Sequence, residues 1–202
     1  MRYVVQNLVF FLAVIGCVAC AQMDGTESDK HFDQQEAEEV AALNDRGEKA
    51  DSVKQVHVKL MNTEGVEVGK AVLTQLDEGV EIELEAWDLP PGVHGYHIHE
   101  KGICEPPTFE SAGAHFNPTD AKHGFDHPEG PHAGDLPNIE VNEEGRVHDK
   151  YVNLLVTLHP DEAHSLLRDG GTSLMIHAKP DDYKSQPAGD AGERIACGVI
   201  SQ

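Results

Sequence analysis

Histidine and aspartate residues recur in this 202-residue chain at spacings that could hold metal ions. His97 and His99 lie two residues apart in the alternating segment HGYHIH. Side chains two apart on a strand project from one face, roughly 7 Å apart at the backbone, so these two can bind one ion together. His177, at the end of the apolar segment SLMIHA, could approach the same ion from the side. His94 has the opposite parity, so we expect it to form a hydrogen bond or to pack.

A second set of candidate ligands lies in a segment rich in Gly and Pro, residues 112–135. This composition breaks helices and leaves gaps in strand ladders, so something other than regular hydrogen bonding must hold the segment. Three imidazoles and one carboxylate would complete a tetrahedral zinc site. The candidates are His115, His123, His132 and Asp135. His127 in the same segment is expected to be a surface histidine.

Alternating apolar residues predict the strands that would position both sets of ligands. The pattern occurs in about eight segments: SVKQVHVKLM, VEVGKAVLTQ, VEIELEAW, HGYHIH, NIEV, YVNLLVTL, SLMIHA and RIACGVI. An antiparallel sandwich or barrel is expected, with little helix apart from one possible turn in EAHSLLRD. Residues 100–137 and 178–192 form two long loops, and loops of this length are usually functional or disordered.

The N-terminus carries an export signal, which we assign to residues 1–21. Its apolar run LVFFLAVIG is too short to span a bilayer comfortably and suits the core of a signal peptide. Cys17 follows this run directly, as does the lipidated cysteine of a bacterial lipoprotein. The alternative is an ordinary signal peptide cleaved nearby, after Ala19 or Ala21. In both cases the protein leaves the cytoplasm.

Residues 22–52 are expected to form a flexible acidic tether. The stretch from Asp24 to Asp51 contains ten acidic and three basic residues and few large apolar ones. Such a segment cannot bury enough surface to offset its ordering entropy. One folded domain is therefore expected over residues 53–202.

The net charge restricts the partners of the protein. The whole chain carries −21, and residues 53–202 still carry −15. This charge argues against nucleic acid or an anionic membrane surface as the main partner. We therefore expect contact with a membrane only through the N-terminal lipid anchor.

Six motifs carry a resemblance to a known family. They are GVHGYHIHEKGIC, AGAHFNP, KHG, PHAGDLPN, LMIHAKPDD and AGERIACGVI. In their order and in the spacing of their zinc ligands they resemble the copper/zinc superoxide dismutases, and most of all the exported bacterial members. The resemblance covers nearly all of residues 53–202. It implies an all-β fold, an eight-stranded antiparallel Greek-key β-barrel or sandwich with two long functional loops, and superoxide as the substrate.

The same resemblance implies two metal cofactors. Copper would be held by His97, His99, His115 and His177. Zinc would be held by His115, His123, His132 and Asp135. His115 appears in both sets, and an imidazole can bind two ions only after losing both ring protons, which two flanking dications favour. In the family this histidine also takes up a proton and passes it to the departing peroxide.

Further roles follow from the resemblance. Arg194, three residues before Cys197, would guide superoxide, since a guanidinium suits a small oxyanion both as a charge and as a hydrogen-bond donor. Asp181 would link a copper histidine to a zinc histidine, with its neighbour Asp182 as the alternative. Cys104 and Cys197 would form the intrachain disulfide of the family.

Two other functions stand as alternatives to superoxide dismutation. A non-enzymatic copper-binding or copper-delivery protein on the same fold would be expected to lack a copper ligand or the arginine. A zinc-only structural module would leave His97 and His99 without a role. The segment EPPTFES makes the loop after Cys104 longer than in animal members, so their dimer contact is not transferred to this chain, and the oligomeric state stays open.

Overall fold

The computed structural model describes residues 54–202, and the export signal, the tether and Cys17 lie outside the described residues. Over that range the chain forms nine strands and one 3-10 turn at Glu110–Ala112. The strands are β1 Gln55–Asn62, β2 Glu67–Gln75, β3 Val80–Ala86, β4 Gly92–His94, β5 Tyr96–His99, β6 Ile139–Val141, β7 Val147–Asn153, β8 Thr172–His177 and β9 Arg194–Ile200. Within the same range no helix is long and apolar enough to cross a membrane.

Seven of these strands form one antiparallel sheet in the order β5-β8-β9-β1-β2-β3-β7, and β4 pairs with β6 in a small second sheet. Alternation in the sequence produces this arrangement. In β1, Val56, Val58 and Leu60 are buried while the residues between them are exposed. Strand β8 is buried at every position, because the loop between β5 and β6 packs Phe109 and Ala112 against Met175 on its second face. The expected all-β antiparallel fold is confirmed.

Strand β5, at one edge of the large sheet, is completed by the loop between β5 and β6. The main-chain N–H of Ile98 donates to the carbonyl of Gly134 at 2.7 Å, and its carbonyl accepts from Phe116 N–H at 2.8 Å. Further bridges join His97 to Asp135 and His99 to His115. The loop thus covers an edge that would otherwise offer unpaired hydrogen-bonding groups. It also brings candidate ligands of the loop beside those of the strand.

The segment HGYHIH forms two strands rather than one, which raises the count from about eight to nine. The break falls at Gly95, whose N–H donates to the carbonyl of Lys179 at 2.8 Å and whose carbonyl accepts from His177 at 2.9 Å. A Cβ atom at Gly95 would lie 2.9 Å from the Cβ of Ala191. Glycine therefore allows the close approach of the loop between β8 and β9.

The segment EAHSLLRD forms a series of turns, as the sequence allowed, with a bridge between Thr157 and Ser165. The strand bounds expected from YVNLLVTL were wrong. Strand β7 begins at Val147 and ends at Asn153, so the apolar residues after it lie in turns. Leu158 and Leu166 are fully buried there, which explains why their segments look regular in the sequence.

Candidate metal centre

Four buried histidines converge between β5, β8 and the long loop. One ring nitrogen from each of them lies within 4.8 Å of the others. We call this group the strand cluster; its members are His97, His99, His115 and His177. Nδ1 of His97 and Nε2 of the other three are buried without a hydrogen-bond partner. Buried polar atoms are normally satisfied, so four unpartnered nitrogens facing one point fit a metal ion.

The opposite nitrogen of three of these rings is held by a specific acceptor. Nδ1 of His99 donates to the carbonyl of Gly113 at 3.0 Å, and Nδ1 of His177 donates to that of Gly192 at 3.3 Å. Nε2 of His97 donates to Asp181 Oδ2 at 2.8 Å. Because these acceptors carry no proton, they place the ring proton on the outer nitrogen. The inner nitrogen then keeps the lone pair that a metal requires.

Burial keeps most of these rings uncharged. It lowers the pKa of His177 to about 3, with help from neighbouring His97. It lowers the pKa of His99 well below the usual value, with His115 and Arg194 acting in the same direction. Burial also lowers the pKa of His115 to about 4, although Asp135 opposes the shift. At neutral pH these three rings need not lose a proton from a cationic form before binding a metal.

A second group shares His115 and lies on the long loop. We call it the loop cluster; its members are His115, His123, His132 and Asp135. Oδ1 of Asp135 lies 2.8 Å from Nδ1 of His115, 3.1 Å from Nδ1 of His123 and 3.3 Å from Nδ1 of His132. The edge of a tetrahedron with zinc bonds of about 2.0–2.1 Å measures about 3.3 Å. These distances are close to that edge. The arrangement of three imidazole nitrogens and one carboxylate oxygen is therefore better explained by a shared zinc ion than by three hydrogen bonds to one oxygen.

The remaining atoms of this cluster are fixed by the main chain and by a second carboxylate. Oδ2 of Asp135 accepts from the N–H groups of Gly124 at 2.8 Å and His132 at 3.0 Å, which leaves Oδ1 as the candidate ligand atom. Burial favours the neutral form of Asp135, but hydrogen bonds from the histidines outweigh it and lower its pKa. Burial also favours the neutral form of His123, which would lower its pKa. The carboxylates of Asp135 and Asp181 outweigh this and raise the pKa of His123 to about 9. Metal binding would therefore displace a proton from His123.

His115 connects the two clusters through its two ring nitrogens. Nε2 belongs to the strand cluster and Nδ1 to the loop cluster. Its ring centroid lies 4.0 Å from that of His97 and 5.2 Å from that of His123. One imidazole is thus placed to bind two ions.

Asp181 joins the clusters a second time. Its Oδ2 accepts from His97 and its Oδ1 accepts from Nε2 of His123 at 3.0 Å, with the side chain fully buried. The neighbouring Asp182 is exposed and bonds instead to Ser185 in the next turn. Asn138 holds Asp181 in place by accepting from its N–H at 2.9 Å and donating to its carbonyl at 2.9 Å.

Arg194 begins β9 opposite His177, where the ladder between β8 and β9 is irregular. Its Nη1 donates to the carbonyl of Phe109 at 2.6 Å and its Nη2 donates to that of Gly113 at 2.7 Å. Gly113 is also the acceptor for His99, so one carbonyl holds a candidate ligand and the arginine together. The guanidinium is half-buried, and burial lowers its pKa, but the two carbonyls engage only two of its five donors.

The disulfide between Cys104 and Cys197 is present, as the resemblance implied. Its two residues are 93 positions apart, and it ties the loop after β5 to strand β9. Cys197 packs with Phe109 and Met175 in a small buried group. The loop that presents Phe109 and Gly113 is therefore fixed to the strand that carries Arg194.

His94 and His127, the other histidines discussed above, lie outside both clusters, and so does Lys184. His94 is buried, with its ring nitrogens 2.8 Å from the carbonyls of His177 and Pro90. His94 thus forms hydrogen bonds outside the clusters, as its position on the opposite face from His97 and His99 predicted. His127 accepts from Glu129 N–H through Nδ1. Lys184, on the loop between β8 and β9, is exposed and pairs with Asp126 at 3.4 Å.

Sequence reasoning did not identify several groups that support the ligands. Asn138 and Gln186 bond to the main chain around Asp181 and His123. Gly113 and Gly192 contribute only carbonyl oxygens. An amide side chain in a loop and a main-chain oxygen leave no periodic pattern, so no sequence signal pointed to them.

Comparisons with known proteins agree with this geometry. A family model described as copper/zinc superoxide dismutase (SODC) matches residues 67–200. Copper/zinc superoxide dismutase 2 of Aquifex aeolicus is 56% identical over 145 residues, which cover 71% of this chain and 85% of that protein. The superoxide dismutase-like protein YojM of Bacillus subtilis is 37% identical over 196 residues, 96% of this chain and 94% of that one. A solved structure of a SOD-like protein from Bacillus subtilis is similar with a TM-score of 0.69 at 43% identity, covering 71% and 97% of the two chains.

Proposed function

This chain belongs to the copper/zinc superoxide dismutase family, and we propose that its two clusters hold one copper and one zinc ion. Copper is assigned to the strand cluster and zinc to the loop cluster, with His115 between them. The assignment is supported by the unpartnered nitrogens of the strand cluster and by the three rings aimed at one oxygen of Asp135. An all-nitrogen set suits copper, and a set of three imidazoles with one carboxylate suits zinc.

The enzyme converts two superoxide anions and two protons to dioxygen and hydrogen peroxide. Bound copper supplies the one-electron redox chemistry, which zinc with its filled d shell does not. Arg194 binds the anion beside the strand cluster. Two carbonyls hold its guanidinium in place, and its remaining N–H donors are free to bind a small oxyanion. With −15 on residues 53–202, this local positive charge is needed to attract a negative substrate.

His115 is the group that holds and delivers a proton. Its Nε2 faces the strand cluster, where the peroxide leaves, and its Nδ1 faces Asp135. The loop cluster therefore keeps the ring in place while Nε2 gains or loses its proton. Asp181 orients the flanking rings of His97 and His123, so neither can rotate during turnover.

The observation that carries this proposal is the convergence of four buried, unpartnered ring nitrogens beside an arginine held by two carbonyls. Metal analysis and a superoxide assay on the purified protein test it. We expect one copper and one zinc per chain, and loss of both copper and activity in His97→Ala. A wild-type rate no greater than that of free copper would contradict catalysis and favour a copper-delivery protein.

We further propose that the protein is exported and anchored to a bacterial membrane through a lipid on Cys17. The short apolar run before Cys17 and the acidic tether after it support this placement. The disulfide supports an oxidising compartment. In cells, Cys17→Ser should move the protein from the membrane fraction to the soluble fraction and abolish incorporation of a labelled fatty acid. Unchanged fractionation would contradict the anchor.

A further inference from the structure

We infer that Gln186 is a positioning residue for the zinc ligand His123, and that it slows zinc release from the loop cluster. The inference rests on the proposed zinc assignment and adds a residue of the other long loop to it. The side-chain amide of Gln186 and the main chain of His123 meet at two points. His123 N–H donates to Oε1 of Gln186 at 3.0 Å, and Nε2 of Gln186 donates to the carbonyl of His123 at 2.9 Å.

The paired bonds fix the main chain on both sides of the His123 α-carbon. A third bond, from Nε2 of Gln186 to the carbonyl of Lys184 at 3.0 Å, fixes the amide itself. Gln186 is exposed, but an amide held at three points has little freedom to turn toward water. A position 63 residues away in the sequence thus sets where the His123 backbone lies.

His123 needs such support because it lies outside every strand of the described chain. Its ring is held by Asp135 at Nδ1 and by Asp181 at Nε2. Those contacts orient the ring but do not hold the main chain that carries it. Gln186 supplies the main-chain contact, so the ring and the backbone of His123 are both tied to residues 181–186.

Close approach of the two loops supports the same role for this segment. The backbone of Gly189, with φ +68°, passes over the contact between Asp181 and His123. A Cβ atom there would clash with the Asp181 carboxylate and come within 2.7 Å of His123 Nε2. Gly124, at φ +97°, likewise leaves room for the carbonyl of Tyr183. Residues 183–189 therefore cover His123 directly.

The chain offers a matched control in Gln75. Its amide makes the same kind of contacts, donating to the carbonyls of Leu76 at 2.9 Å and Gly79 at 3.0 Å and accepting from Thr157 at 3.0 Å. Gln75 holds a turn of the large sheet and touches neither cluster. Loss of its bonds should affect stability without changing metal retention.

The experiment measures the rate at which the metal-loaded protein releases zinc to a chromogenic chelator. Gln186→Met keeps the length of the side chain and removes both polar atoms. We expect zinc release about tenfold faster, the low end of the effect of residues that orient metal ligands. Gln186→Glu keeps the acceptor for His123 N–H and loses the donor, so its rate should be intermediate. Gln75→Met should release zinc at the wild-type rate.

Copper content and the visible spectrum of the copper provide a second reading, which we expect to be unchanged in all three variants. Zinc-loaded Gln186→Met that releases zinc at the wild-type rate would overturn the role of Gln186 alone. Equal acceleration in Gln75→Met would also overturn it, because the effect would then be general destabilisation. A wild-type protein that binds no zinc at the loop cluster would overturn both this inference and the zinc assignment.

Discussion

The strand cluster and the loop cluster share His115 but are positioned by different means. His97, His99 and His177 lie on β5 and β8, which pair directly in the large sheet. The other members of the loop cluster lie between β5 and β6, on a segment with few ladder bonds. Sheet register therefore places one half of the site. Side-chain contacts and the metal itself must place the other half, so the two halves should respond differently when a ligand is removed.

The largest expected effect on metal binding comes from two separate variants, each of which removes one proposed ligand from one cluster. Asp135→Asn keeps an acceptor for the two main-chain N–H groups but loses the anionic ligand, so zinc affinity should fall more than about 100-fold. Copper should still bind, because β5 and β8 hold three of its four proposed ligands. His99→Ala should lose copper and retain zinc. Metal analysis after dialysis measures both, and loss of both metals from each variant would show that the clusters are not independent.

The next largest effect is expected from removing the disulfide, which joins the loop after β5 to strand β9. Its loss should affect the loop more than the sheet. For a separation of 93 residues, the chain-entropy model gives about 4 to 5 kcal/mol of stabilisation, less any strain. The double variant Cys104→Ala, Cys197→Ala should therefore unfold at a much lower urea concentration than the wild type. Denaturant titration measures this midpoint. Hydrogen exchange should show that residues 100–113 lose more protection than β8. Uniform loss of protection would contradict a separate role for the loop.

A smaller effect is expected for Arg194, which lies on a strand but is held by loop carbonyls. Arg194→Met should lower kcat/KM about 10- to 100-fold through loss of anion attraction, and Arg194→Lys should lower it less. The decrease of the wild-type rate with added salt should become shallower in Arg194→Met, because less of its rate depends on charge. Rapid kinetics at several ionic strengths measure this. Metal content serves as the control, and an unchanged salt slope would contradict steering by this arginine.

The elements of the fold could be predicted where one physical rule dominates. Apolar alternation indicated β1, β2, β3, β8 and β9 because each buries one face or both. It failed at Gly95, where a loop carbonyl from Lys179 interrupts the ladder without disturbing the alternation. It also failed after Asn153, where buried leucines lie in turns. Tertiary contacts decide both places, and the sequence pattern does not contain them.

The site could be proposed from the sequence because its ligands are chemically distinctive side chains in recognisable motifs. The groups that orient them were harder to find. Gly113, Gly192 and Phe109 act through carbonyl oxygens, which every residue has. The sequence also left Asp181 and Asp182 as alternatives, and the structure separates them by burial. Identifying such groups requires coordinates, because their role depends on orientation rather than on residue type.

The carbonyl of Gly113 has an effect on how this enzyme could be altered. It accepts from His99 and Arg194 at once, and Gly113 has φ +77° with the carboxylate of Glu100 packed against the place of a side chain. A substitution at Gly113 would turn this oxygen and shift both donors together. If His99 binds copper and Arg194 binds the anion, as proposed, changes at Gly113 would alter both properties together, so engineering of either is best begun elsewhere in the loop.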